Sequence, residues 1–110
     1  MALPIKALPT ADVVIEGATV TVRGLSRAEA MKFTAGFTEE AMPGVPMAAR
    51  ADAAEVWLLV HGAGVDETEA VEWRNATDLT TVGLLVDKIV ELSALGQIGG
   101  TSPQASSNGA

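Results

Sequence analysis

The segment TDLTTVGLLVDKIVELSALG, Thr77 to Gly96, carries the punctuation of a complete helix. Thr77 or Asp78 can accept hydrogen bonds from the free N–H groups of a first turn. Gly96 can take the left-handed conformation that closes a last one. At about 100° per residue, Leu79, Val82, Leu85, Val86, Ile89, Val90 and Leu92 fall within an arc of roughly 160°. Thr80, Asp87, Lys88 and Glu91 lie opposite. Leu84 and Leu95 project from that polar side, which makes them candidates for contact with something other than the core. A helix this apolar needs a surface to lie against, and the preceding residues must build it.

They begin with an expected extended arm over residues 1–11, containing Pro4 and Pro9. Asp12–Glu16 and Thr19–Arg23 are β-branched runs separated by Gly17-Ala18, a pattern that predicts a hairpin with a type II′ turn. Val20 and Val22 alternate with Thr19, Thr21 and Arg23, so one face is buried and the other wet. Ser26 followed by Glu29 forms a capping box for a helix ending near Gly36. Within that helix Ala28, Met31 and Ala35 form a stripe, adjoined by Phe33 and Phe37. Glu39 to Pro46, with two prolines around Gly44, reads as a loop containing Met42.

Met47 to His61 predicts a further helix. Its segment Val56-Trp57-Leu58-Leu59-Val60 is apolar around nearly the whole circumference, so it is buried on several sides or offered to a partner. Gly62-Ala63-Gly64 stops it, and Asp66 with Glu69 starts a short helix from Glu67 to about Asn75. Residues 97–110, rich in Gly and Ser, are expected to be disordered. The expected architecture is therefore α+β and mostly helical. A single domain over residues 12–96 holds an N-terminal hairpin and about four helices.

Composition narrows the function. The 110 residues carry 7 Lys and Arg against 14 Asp and Glu, a formal charge of −7. That balance disfavours nucleic acid and anionic membranes, which recruit clustered positive charge. The longest apolar run is far shorter than the ~20 residues of a membrane span. Met1 to Pro9 holds no sustained apolar run, so no secretory leader is expected. With no cysteine there is no disulfide or thiolate site, which suits a reducing cytosol. Two Trp, two Phe and no Tyr leave a thin core built mainly from Ala and Val.

No active site can be assembled from these residues. His61 is the single histidine and sits at a helix C-terminus, where its partial positive charge is favourable. Gly62-Ala63-Gly64 follows a helix and lacks the third glycine and the Lys-Ser/Thr of a phosphate loop. Asp66, Glu67, Glu69 and Glu72 lack the spacing of a calcium loop and read as helix-start and surface acids. Ser26, Ser93 and the threonines have no identifiable base. The expectation is no enzyme, no metal and no cofactor. The apolar residues that a thin core would leave over are Trp57, Leu59, Leu84 and Leu95, with Phe37 and Met42 after them. These are the candidate partner-binding residues, suited to a groove that accepts another protein's helix.

The order of these elements resembles the tail assembly chaperones of long-tailed, siphovirus-like bacteriophages. The likeness rests on Val20-Thr21-Val22-Arg23-Gly24-Leu25-Ser26-Arg27-Ala28-Glu29-Ala30, a strand running into a capped helix. It continues through Glu55-Val56-Trp57-Leu58-Leu59-Val60, Val71-Glu72-Trp73-Arg74 and Val86 to Gly96. It covers roughly residues 12–96 and is a pattern rather than a diagnostic motif. The resemblance implies a protein of the host cytoplasm that binds the apolar helical segments of the tape measure protein. It would keep that protein soluble until the tail tube polymerises, and be absent from the mature virion. Contact with the tail tube protein and self-association are further expected partnerships, and a longer frameshifted form is common in such families. A small structural subunit of the tail or head-tail connector, joined through its hairpin, is the alternative.

Overall fold

A computed structural model describes residues 3–4 and 7–93. Its elements run β1 (Thr10–Ile15), β2 (Ala18–Arg23), α1 (Arg27–Gly36), α2 (Met47–Ala63), α3 (Glu67–Ala76) and α4 (Leu79–Ser93). This is the expected α+β order of one antiparallel hairpin followed by four helices. Leu95, the Gly96 stop and the tail over residues 97–110 lie outside the described residues.

The hairpin pairs Thr10 with Arg23 and Ile15 with Ala18. Its two-residue loop is therefore Glu16-Gly17, one position earlier than the sequence pattern predicts. Both loop residues have positive φ, 52° at Glu16 and 80° at Gly17. That is the type I′ pattern, whose twist matches that of the flanking strands. Gly17 takes it without strain, and Glu16 accepts a left-handed conformation in exchange for the better register. Ala11, Val13, Ile15, Val20 and Val22 turn inward, while Asp12 and Val14 turn outward beside Thr21 and Thr19. Thr21 Oγ1 donates to Asp12 Oδ1 across the outer face at 2.7 Å.

Three of the four helices start where a side chain takes up free N–H groups, while α2 starts after Pro46 with no side-chain cap. Ser26 accepts from Glu29 N, and Glu29 Oε1 accepts from Ser26 N, closing the capping box. Asp66 accepts from Glu69 N at 2.7 Å. Asp78 rather than Thr77 caps α4, accepting from Thr81 N and from Thr81 Oγ1. Gly64, at φ 73°, closes α2 by donating its N–H to Val60 O. The α1–α2 loop has no regular structure, and Arg50 holds it to α2 by donating to Val45 O and Phe37 O.

The core brings Val22 and Leu25 against Leu58 and Leu59 of α2 and Leu85 and Ile89 of α4, with Ala30 and Ala70 completing it. Two glycines set how closely the layers approach. A Cβ on Gly62 would fall within 3.0 Å of three Ile89 carbons, and one on Gly24 would overlap the Leu92 carbonyl. Beside Gly24, Leu25 N donates to Ser93 Oγ, which in turn donates to Ile89 O. This chain fastens the last turn of α4 to the strand–helix junction. The inner face of α1 differs from the expected Ala28, Met31 and Ala35 stripe, all three of which are exposed. Ala30, Phe33 and Phe37 face inward instead, because Trp57 offers an aromatic surface on that side. Leu79, placed by its angle on the buried arc of α4, is at the exposed helix start.

The hairpin and α1 are joined by one ion pair. Arg23 donates through Nη1 and Nη2 to both carboxylate oxygens of Glu29, at 2.8 and 2.9 Å. The Arg23 hydrogen bonds lower the Glu29 carboxyl to about 2, helped by the Ser26 N–H and opposed by partial burial. A carboxyl lowered by folding stabilises the native state above its unfolded pKa and loses that contribution as pH falls through its folded value. Unfolding free energy should thus decline between about pH 4.5 and 2, and Glu29→Gln should flatten that decline by on the order of 1 kcal/mol in urea titrations. Gly62→Ala should cost about 1–3 kcal/mol by overpacking against Ile89. Gly83→Ala, in the same assay, should be neutral or stabilise by up to ~1 kcal/mol, because its Cβ meets open space on α4.

Candidate functional site

A surface depression of about 620 Å³ lies between α2 and α3. Its α2 wall is Ala53, Val56, Trp57 and Val60, one stripe of a helix at spacings of three and four. The α3 wall is Glu67, Val71, Arg74 and Asn75, and Phe37 reaches its edge from the end of α1. The lining is mainly apolar, and Asp52, His61, Glu67, Arg74 and Asn75 supply its polar groups. Such a groove forms because α2 is apolar nearly all round. Leu58, Leu59 and Gly62 are spent on the core. The Val56 and Val60 side is covered only in part.

Trp57 anchors one end. Its ring lies 5.9 Å from Phe33 and 6.2 Å from Phe37, and His61 stacks on it at 3.9 Å between ring centroids. The Trp57 carbonyl is an acceptor only, so the 3.0 Å contact with His61 makes Nδ1 the donor. That bond fixes the imidazole against the indole and leaves Nε2 as its second polar atom. His61 forms part of the groove wall.

Arg74 holds the two walls together. It donates to Glu55 Oε1 and Asp52 Oδ1, each at 2.7 Å, crossing from α3 to α2. Partial burial disfavours its charge, but the two carboxylates more than offset this and raise the guanidinium pKa. The lining nonetheless keeps an acidic excess, since Asp52 and Glu67 stand beside Arg74, which also pairs with Glu55. A second, smaller cavity of about 160 Å³ lies under the hairpin, lined by Val20, Leu59, Val65, Trp73 and Leu85 among others.

The candidate partner-binding residues separate in three dimensions. Trp57 and Phe37 line the groove, both half-buried. Leu59 is corrected: it is 2 % exposed and packed in the core, so it offers almost no surface to a partner. Its neighbour Val56, together with Val60 and Val71, occupies the surface role that its position in the apolar run implied. Leu84 is 52 % exposed on α4 but lies outside the groove. Met42 is half-buried in the α1–α2 loop and does not line the groove. Leu95 lies outside the described residues. Val71 and Arg74 were legible only as members of a short acidic helix, because their role depends on the pairing of α3 with α2.

Asp66, Glu67, Glu69 and Glu72 do not converge, and among the described residues no group of three His, Asp or Glu could hold a metal ion. Among the same residues no helix is long and apolar enough to cross a membrane. Arg74→Met should weaken the α2–α3 clamp and lower unfolding free energy by about 0.5–1.5 kcal/mol at 50 mM NaCl, with the difference shrinking in 1 M NaCl. Chemical denaturation at the two salt concentrations measures this. Comparison of the chain with protein-family models, with curated proteins and with solved structures found no match in any of the three.

Proposed function

We propose that this chain is a non-enzymatic assembly chaperone of a long-tailed bacteriophage. It binds apolar helical segments of the tape measure protein in the host cytoplasm and keeps them soluble until the tail tube polymerises. One observation carries the reading: a small, acidic, otherwise well-packed domain keeps an apolar groove at its surface, floored by Val56, Trp57 and Val60. A trough between two helices with apolar side chains along its wall is the shape that receives an amphipathic helix. The order of hairpin, capped helix and apolar α2 is also that of the family the sequence resembles.

The chemistry suits a holdase. Mass action is enough to protect a partner that would otherwise aggregate, with no bond made or broken. The net charge of −7 would keep the complex soluble and copies apart. A structural subunit of the virion is a second reading, favoured by the two-stranded sheet, whose outer face carries Val14 at 66 % exposure and which a neighbouring strand could extend.

Co-expression with the tape measure protein of the same phage tests the first reading. The wild-type chain should raise the soluble fraction of that protein several-fold. Val71→Asp, an exposed groove substitution, should abolish the gain, and Leu84→Asp reports whether α4 contributes. A soluble fraction unchanged by the wild-type chain would sink the reading. Purified particles that retain the chain in stoichiometric amounts would establish the structural alternative in its place.

A further inference from the structure

We infer that the α2–α3 groove takes an amphipathic helix whose apolar stripe is bordered by Lys or Arg. This rests on the chaperone reading in treating the groove as a docking site, and adds the shape and charge of what docks there.

The shape follows from the walls. Ala53, Val56, Trp57 and Val60 make a two-turn stripe on α2, and Val71 lies opposite on α3. A trough between two helices is complementary in ridges and pitch to a third helix, which presents apolar side chains at i, i+3, i+4 and i+7. A volume of about 620 Å³ is large enough for several such anchors.

The charge follows from the rim. Asp52 and Glu55 both spend themselves on Arg74, at 2.7 Å each, so the single cation is held on two sides. Asp52 still has a 62 % exposed side chain, and Glu67 is exposed at the start of α3. Asp52 and Glu67 line the groove beside Arg74, and Glu55 pairs with that guanidinium from outside the lining, so the charge around the groove is net negative. A helix flanked by acids would meet like charge on both walls, while one flanked by Lys or Arg would be steered in.

The test uses the full chain and two labelled synthetic peptides of 18 residues with an identical leucine stripe, one flanked by Lys and the other by Glu. Binding is read by fluorescence anisotropy. At 50 mM NaCl the Lys peptide should bind at least tenfold tighter than the Glu peptide, and the gap should narrow in 500 mM NaCl. Val71→Gln and Ala53→Gln, on opposite walls, should each weaken the Lys peptide at least fivefold. Glu67→Gln should reduce the preference between peptides, and Leu84→Gln should leave binding unchanged. Equal affinity for the two peptides would overturn the inference, as would Lys-peptide binding insensitive to both wall variants. Charge discrimination in the groove without rescue of the tape measure protein would refute the chaperone reading alone. Rescue without discrimination would refute this inference alone.

Discussion

The contact on which the domain depends is the crossing of α2 and α4 at Gly62 and Ile89. Ile89 is fully buried, and it lies so close to the α2 backbone that only a residue without a side chain fits opposite. Close packing of this kind fixes the separation of two helices far more tightly than a pair of flexible side chains would. Leu58, Leu59 and Leu85 gather around the crossing, and Val22 closes it from the sheet. The hairpin, which would be marginal alone in water, gains its stability by covering this contact.

The groove is a consequence of the same crossing. Once α2 commits Leu58, Leu59 and Gly62 to α4 and the hairpin, its remaining apolar residues point away from the core. Trp57 is partly covered by Phe33 and Phe37, and Ala70 of α3 is buried nearby. Val56 and Val60 fall between these coverings. The surplus of apolar surface is thus a product of an all-apolar turn on a helix with too few neighbours, in a domain with few large side chains to spread over it.

Much of the fold was legible because its signals are local. The Ser26–Glu29 capping box and the Asp66 cap act within four residues, and the sequence reports them directly. By contrast, α2 runs two residues past the expected end at His61, because Gly62 stays helical against Ile89 and only Gly64 stops it. The turn register was missed because Glu16-Gly17 and Gly17-Ala18 both place a glycine in a two-residue loop. The choice between them depends on which strand faces reach the core. The inner face of α1 was partly legible: Phe33 and Phe37 were set beside the stripe, but their packing on Trp57, 24 residues beyond Phe33, leaves Ala28, Met31 and Ala35 exposed. The site was half legible. Apolar residues around the whole of one helical turn announced an unusual surface, but whether Val56 or Leu59 faces outward is decided by α4. The part played by Val71 and Arg74 comes from the docking of α3.

The Ser93 hydroxyl, which donates to Ile89 O, accepts from Leu25 N, 68 residues earlier in the chain than Ser93. It has a consequence for the order in which the molecule is made. During synthesis the hairpin, α1 and α2 emerge well before α4, the last described element. Until then Val22, Leu58 and Leu59 lack the cover that α4 gives them, and neither the Gly62 crossing nor the Ser93 bridge can form. Local structure can begin early, but closure of the core must wait for the final turn of α4 to leave the ribosome. The nascent chain passes through an interval in which it is itself an exposed apolar surface.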